Sequence, residues 1–230
     1  MVKYMKALWD KIYITFIFDD RYLFFVEGIK ITLILTFASF FLGTFFGILL
    51  CMMKRAKNKA VRKIAEFIAA LFMGMPTMVL LMIMVYIVFG SSAIPVLWVV
   101  TIGLTLKAGA YLAEIFDTSL STVDPGEVEA ARTLGMTRWQ AFRYIALPQT
   151  VNAALPLYKN QFITTMQETS VVGYLAVVDL TRAASIVSSR TLDAFFGLIT
   201  VTIIYFMISA IAKCIFNLIS KKVVRGGEPA

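Results

Sequence analysis

The stretch Glu129-Ala-Ala-Arg-Thr-Leu-Gly135, followed by Leu147-Pro148, predicts a short polar hairpin of helices inside a strongly hydrophobic chain. Asp124-Pro125-Gly126-Glu127 places an N-cap residue, a proline at the first helical position and an acid in the first turn, so a helix begins there. Gly135 suits the left-handed residue that ends a helix. Thr137-Arg138-Trp139-Gln140 predicts a second capping box, and Pro148 is expected to end the second helix. We therefore expect two short helices joined at Gly135.

The rest of the chain has the composition of an integral membrane protein. Of its 230 residues, 60% are hydrophobic and 16% are charged, and the mean hydropathy is +0.82. Residues 31–53 carry no charge, and a helix of that length crosses about 30 Å of hydrocarbon. We predict an all-α membrane protein with about five transmembrane helices: residues 31–53, a span ending near 89, a span from the break at 90–95 to about 116, residues 151–178, and residues 194–212 with an extension toward 220.

The distribution of basic residues predicts the orientation of these spans. Residues 54–63 include six basic residues and no acid, so this loop is expected in the cytoplasm. Counting spans from there places the hairpin at 124–148 and the carboxyl terminus on the same side, and the amino terminus outside. Three segments follow: an interfacial segment at 1–25, a membrane domain at 26–220 that includes the hairpin, and a cytoplasmic tail at 221–230.

The amino-terminal segment and the two cysteines add two smaller expectations. Residues 1–18 mix apolar side chains with three lysines, which is typical of a helix lying at the membrane interface. Cys51 and Cys214 both fall near the predicted cytoplasmic ends of spans, so we expect no disulfide.

The order of short motifs along the chain resembles the membrane subunits of ATP-binding-cassette (ABC) importers. The E-A-A, G and L-P pattern of the hairpin resembles the cytoplasmic coupling motif of those subunits. Ala110-Tyr-Leu-Ala-Glu-Ile-Phe116, Leu155-Pro156 and Glu168-Thr-Ser170 flank the hairpin as in the permeases for polar amino acids, the EAA-loop family with the type I importer fold. Three positions depart from that family: Met73-Gly-Met-Pro76 replaces R-G-T-P, Asp117 stands at an often basic position, and Gln167 at a position often held by lysine.

This resemblance implies a function and a set of partners. The hairpin would seat on a separate cytoplasmic ATPase dimer, which would bind ATP and Mg²⁺. A second permease subunit, identical or related, and an extracytoplasmic amino-acid-binding protein would complete a multi-pass transporter of the bacterial cytoplasmic membrane. The residues implied in coupling to the ATPase are Glu129, Ala130, Ala131, Leu134 and Gly135.

Ionisable residues inside the spans are the candidates for substrate contact, because a charge in hydrocarbon is costly. Lys107, Tyr111 and Glu114 lie on one face of the third predicted span. Glu168 is assigned to the substrate ammonium, and polar contacts are assigned to Gln167, Thr169 or Ser170. The alternative for Lys107 and Glu114 is that they pair with neighbouring residues or extend to the interface.

Other classes of protein are weighed against this interpretation. The chain has no histidine, two separated cysteines and no G-x-x-x-x-G-K-[ST] motif, so it predicts no catalytic residue, no metal site and no ATP site of its own. A secondary carrier is an alternative, although no inverted repeat is visible. A membrane-anchored helix-turn-helix regulator is another, because residues 131–139 mimic that motif, but its few arginines are offset by acids and we expect no nucleic-acid partner.

Overall fold

The computed structural model describes residues 6, 9 and 11–225, and all regular structure in this part of the chain is helical. A π-helical turn at Tyr13–Ile17 and a 3₁₀ turn at Phe18–Asp20 precede the helices that we number α1 to α9: Tyr22–Lys54 (α1), Lys59–Gly74 (α2), Thr77–Met82 (α3), Val96–Ser121 (α4), Pro125–Thr133 (α5), Arg138–Ala141 (α6), Leu147–Glu168 (α7), Leu180–Thr191 (α8) and Ala194–Arg225 (α9).

Three of these helices are long and apolar enough to cross a membrane, namely α1, α4 and residues Ala194–Leu218 of α9. Two further pairs of helices, each bent by more than 40° at a short break, bring the number of candidate spans to five if each pair is one span. The all-α fold is thus confirmed, and the five predicted spans fall within this range. Large apolar side chains stay exposed along the spans, as expected for a lipid-facing surface: Phe45, Ile87, Trp98, Phe195 and Phe206.

The second predicted span is wrong as a continuous helix. It starts earlier, at Lys59, and it breaks after Gly74, before Thr77 begins α3 and its π-helical continuation Ile83–Val88. Pro76 explains the break, because it has no N–H and disfavours a helical residue before it. Met75 is accordingly extended, with φ −84° and ψ 134°.

The expectation that Pro148 ends the second helix of the hairpin is also wrong. Helix α6 passes through a π-helical turn, Phe142–Ala146, directly into α7. In this wider turn the N–H of Leu147 bonds to the carbonyl of Phe142, which lets the helix axis pass a proline that would clash in a regular α-helix. The fourth candidate span is therefore part of a continuous helix that starts at Arg138, and this helix ends in a 3₁₀ helix at Thr169–Leu175.

The chain divides into two compact units, each built from three segments. The first comprises residues 1–38, 77–104 and 165–210, and the second comprises 39–76, 105–164 and 211–230. Two buried clusters form the core of the first unit: Leu35, Leu81, Val100, Leu104, Val172 and Leu175, and then Phe25, Leu180, Ala184, Val187 and Val201. The second unit also has two: Leu50, Cys51, Ala65, Ala69 and Ala113, and then Phe40, Leu112, Phe162 and Ile163.

In the second unit, the backbones of α1 and α4 come into close contact at three glycines. Gly43 and Gly47 form a G-x-x-x-G motif on α1, and Gly109 faces them from α4. A Cβ atom at Gly47 would lie 2.9 Å from the carbonyl oxygen of Gly109, and one at Gly109 would lie 2.9 Å from that of Gly43. Only glycine fits this helix crossing.

Residues 1–5, 7, 8 and 10 of the predicted interfacial segment at 1–25 lie outside the described residues, its other residues are helical or in a turn, and the domain boundaries stay predictions. Within the described part, Lys11 Nζ donates to Asp193 Oδ2 at 2.5 Å in the first unit. This hydrogen bond lowers the pKa of Asp193 below its usual value. Cys51 is buried and Cys214 is exposed, and both are free thiols.

Candidate functional site: the hairpin and the membrane-embedded charges

The hairpin begins as its capping residues predict. The side chain of Asp124 accepts a hydrogen bond from the N–H of Gly126 at 2.8 Å, and Pro125 occupies the first helical position of α5. Glu127, in the first turn, does not reach back to the cap but accepts a hydrogen bond from the Gln149 amide. This contact joins the first helix of the hairpin to the start of α7.

The turn of the hairpin is a Schellman motif around Gly135. The N–H of Met136 bonds to the carbonyl of Ala131 at 3.2 Å, and the N–H of Gly135 bonds to that of Arg132 at 3.1 Å. Gly135 has a φ of +90°, the left-handed conformation predicted for it. The second capping box is also present: Thr137 and Gln140 bond reciprocally, side chain to backbone, at 3.2 and 2.8 Å.

The predicted coupling residues differ in exposure. Glu129, Ala130 and Gly135 are exposed, and Leu134 is 85% exposed. Ala131 is buried, with 5% of its surface accessible, so it packs within the chain rather than offering a surface to a partner. The hairpin thus presents the side chains of Glu129 and Ala130 on α5, and that of Leu134 next to the hydrogen-bonded turn, to the solvent.

Two basic and two acidic residues bind the end of α1 to α4 just before the hairpin. Lys54 Nζ lies 2.6 Å from Glu114 Oε2 and 3.3 Å from Asp117 Oδ2. Arg55 Nε donates to Asp117 Oδ1 at 2.8 Å, and the Arg55 guanidinium nitrogen Nη2 donates to Ser121 Oγ at 2.7 Å. Glu114, a predicted substrate residue, therefore lies in an ion-pair network, as its alternative interpretation stated. The predictions missed the partners Lys54 and Arg55, because the residues are about 60 positions apart in the sequence.

Lys107 is buried beside the break between α2 and α3. Its Nζ donates to the carbonyl of Met75 at 2.7 Å, and the hydroxyl of Tyr111 reaches the carbonyl of Met73 at 3.4 Å. The break exposes these carbonyls because the chain is not helical at Met75. Pro76 in the sequence predicts a helix break with free carbonyls. It does not predict that Lys107 is the residue that binds one of them.

Glu168 is the last residue of α7 and lies in the first unit. It is half-buried, and its Oε1 accepts a hydrogen bond from Thr77 Oγ1 at 2.9 Å. Thr77 follows Pro76 directly and was not predicted. Thr169, the first residue of the 3₁₀ helix, is buried and donates to the carbonyl of Met166 in α7, whereas Gln167 is exposed and Ser170 half-buried. The four predicted polar residues thus differ in burial, and Glu168 is the one that carries a negative charge.

A cavity of about 460 Å³ lies in the second unit next to the hairpin. Its walls are almost entirely apolar, and the hydroxyls of Thr44 and Tyr158 bond to each other at 2.9 Å. Such a lining offers no charge to a polar solute. No cluster of metal-ligating side chains occurs among the described residues.

Comparison with known proteins places this geometry in a family context. Residues 24–225 match the family described as binding-protein-dependent transport system inner membrane component. The chain is 31% identical to a probable amino-acid ABC transporter permease, YckA, of Bacillus subtilis, over 93% of this chain and 95% of that protein. It is also 31% identical to a putative glutamine transport system permease, GlnP, of Rickettsia typhi, over 97% and 99% of the two chains.

Solved structures show the same fold. A crystal structure of an amino acid ABC transporter with histidines superposes with a TM-score of 0.79 at 32% identity, covering 86% of this chain and 94% of that chain. An inward-facing structure of the MetNI methionine ABC transporter superposes with a TM-score of 0.73 at 21% identity, which supports the fold alone.

Proposed function

Because the chain belongs to the family of binding-protein-dependent transport system inner membrane components, we propose that it is the membrane-spanning subunit of an ATP-driven importer for a polar amino acid. The predicted resemblance to ABC importer permeases is thereby confirmed. A secondary carrier or a membrane-anchored DNA regulator does not fit this family. Similarity to permeases named for amino acids and for glutamine supports the substrate class.

The observation that carries the coupling role is the hairpin at 124–148. Its caps and its glycine turn hold Glu129, Ala130 and Leu134 on an exposed surface. An ATPase subunit whose cleft receives this turn would move it as the ATPases close around ATP and Mg²⁺. Helix α4 ends at Ser121, three residues before the cap at Asp124. Because this connection is short, a displacement of the hairpin would also move α4, which is a candidate membrane span.

The proposed assembly has two permease subunits, identical or related, two ATPases and an extracytoplasmic binding protein. The hairpin, the loop at 54–63 and the carboxyl terminus face the cytoplasm of a bacterial cell, and the amino terminus lies outside. The excess of basic residues in that loop supports this orientation.

For the substrate, Glu168 is the proposed partner of the α-ammonium group. It is a half-buried acid, and the hydrogen bond that its carboxylate accepts from the Thr77 hydroxyl orients it. Lys107 is the cation proposed for the transport pathway. Its ammonium donates to the Met75 carbonyl in this structure, and an anionic group of the substrate would replace that carbonyl as its acceptor. A Glu168→Gln variant tests the first of these two assignments.

Copurification tests the coupling role. Tagged protein extracted gently from its native membrane is expected to bring an ATPase with it, and Glu129→Arg is expected to lose that ATPase. Glu27→Arg, an equal charge change on an exposed residue of α1, is the control and is expected to retain it. A wild-type chain without ATPase, or an ATPase retained equally by both variants, would overturn the proposal.

A further inference from the structure

Helix α2, at Lys59–Gly74, has three distinct sides. One side, with Ala65 and Ala69, is buried against Leu50, Cys51 and Ala113. A second side is apolar but exposed: Ile64 is 54%, Phe67 67% and Leu71 44% accessible. The third side is charged, with Lys59, Arg62, Lys63 and Glu66, all exposed. A helix in contact with protein, lipid and water at once is expected to have this pattern.

One row of side chains shows the transition along the helix. Lys59, Lys63, Phe67 and Leu71 are spaced four residues apart and form one ridge, which winds by about 120° around α2 from its charged side to its apolar side. The ridge is cationic over its first half and apolar over its second. It is about 18 Å long at 1.5 Å per residue.

The lysines of this ridge form no ion pair among the described residues, unlike Lys54, Arg55 and Arg62. Lys54 and Arg55 pair with Glu114 and Asp117, and Arg62 lies 3.6 Å from Glu66. Lys57, Lys59 and Lys63 remain as a local excess of positive charge, all of them exposed. Asn58 caps the helix through the N–H of Ala60, so Lys59 and Lys63 are held on a defined surface rather than on a loose loop.

We propose that Lys59 and Lys63, with Lys57 beside them, form a binding surface for the headgroup phosphate of an anionic phospholipid. Phe67 and Leu71, further along the ridge, lie against the acyl chains. The charge complementarity and the apolar continuation identify a lipid rather than an acidic protein, because a protein that covered the lysines would meet an apolar, lipid-facing ridge at its edge. This surface goes beyond the transport function and does not depend on the substrate.

Retention of lipid by the purified full chain, with the subunits that accompany it, tests the proposal. The protein is exchanged into mixed micelles with equal phosphatidylglycerol and phosphatidylcholine, and bound lipid is counted by native mass spectrometry across a lipid titration. Wild-type protein is expected to retain phosphatidylglycerol preferentially. K59Q/K63Q is expected to weaken that retention at least ten-fold, since a lysine near an anionic surface contributes roughly five-fold in affinity.

Two matched variants complete the experiment. K30Q/R182Q removes the same charge from exposed residues elsewhere and is expected to stay within two-fold of wild type. K59R/K63R keeps the charge and is expected to retain phosphatidylglycerol, which also shows that the ridge tolerates substitution.

Three results would overturn the inference. They are equal retention of the two lipids by wild type, equal loss in K59Q/K63Q and K30Q/R182Q, and unchanged lipid retention in K59Q/K63Q with loss of the copurified ATPase. The last result would assign the lysines to a protein contact. The ATPase is assayed in the same samples, so failure of the lipid surface is distinguished from failure of the proposed transport function.

Discussion

Gly135 shows how one residue can determine the geometry of the proposed coupling surface. Its φ of +90° is strained for any residue with a Cβ, yet a Cβ built there would meet no atom within 4 Å. A substitution therefore acts through the backbone alone. Gly135→Val is expected to cost roughly 1–3 kcal/mol in the turn and to lower substrate uptake several-fold while ATP hydrolysis continues. Uptake and hydrolysis measured together in proteoliposomes check this.

Gly135→Asn is the control for that substitution, because asparagine adopts the left-handed conformation more readily. It is expected to keep uptake and hydrolysis coupled. Gly74→Ala, at another glycine with open space around it and no left-handed backbone, is expected to be close to neutral. Full coupling in Gly135→Val would mean that the turn geometry is not needed.

Glu168 tests the substrate contact at the same scale. Glu168→Gln keeps an oxygen that can accept the hydrogen bond from Thr77 but removes the charge. We expect uptake to fall at least ten-fold, because a charge-assisted hydrogen bond is worth about 1.5–3 kcal/mol. Assembly with the ATPase is expected to be unchanged. Glu27→Gln is the control, and wild-type uptake by Glu168→Gln would remove Glu168 from the substrate site.

At the scale of helices, the crossing of α1 and α4 depends on three glycines. Gly109→Ala would put a Cβ 2.9 Å from the backbone oxygen of Gly43, so the two helices must separate. We expect a loss of about 1–3 kcal/mol and a lower apparent Tm of the purified protein. Gly103→Ala on the same helix is the control, because its near neighbour at 2.6 Å is a terminal methyl of the Leu81 side chain rather than a backbone atom. Equal Tm values for the two variants would show that the crossing is not this tight.

The ion pairs before the hairpin also belong to this scale. Asp117→Arg would bring a third cation against Lys54 and Arg55, and we expect it to reduce stability and coupled uptake. The exchange Arg55→Asp with Asp117→Arg restores one opposite-charge contact and is expected to recover part of both. A double-mutant cycle on Tm and uptake measures the interaction. Additive effects of the two changes would argue against direct pairing.

Local signals in the sequence predicted those elements that depend on near neighbours. The caps at Asp124 and Thr137 and the turn at Gly135 need only residues within one helical turn, and all three are present. Pro148 was misjudged, because a π-helical turn before it was not foreseen. The contacts of Lys107 and Glu168 could not be predicted, since their partners at Met75 and Thr77 are reached only in the folded chain.

For the whole molecule, the distribution of basic and acidic residues among the loops predicts how the helices are oriented in the membrane. Residues 54–63 carry six basic residues without an acid, whereas Asp179, Arg182, Arg190 and Asp193 balance one another. A membrane protein inserts with its basic loops in the cytoplasm, so these two regions are expected on opposite sides. The hairpin then lies on the side where ATP is available, as the proposed coupling requires.

This orientation is measurable with single cysteines. In a Cys51→Ala, Cys214→Ala background, Leu192→Cys is expected to react with a membrane-impermeant maleimide in intact cells, because Leu192 is 93% exposed in the loop predicted outside. Lys57→Cys, exposed in the basic loop, is expected to react only after the cells are permeabilised. Uptake by the cysteine-free background controls for folding. Labelling of Lys57→Cys in intact cells would show that the topology is the opposite of the predicted one. The hairpin would then lie outside, where no cytoplasmic ATPase could reach it.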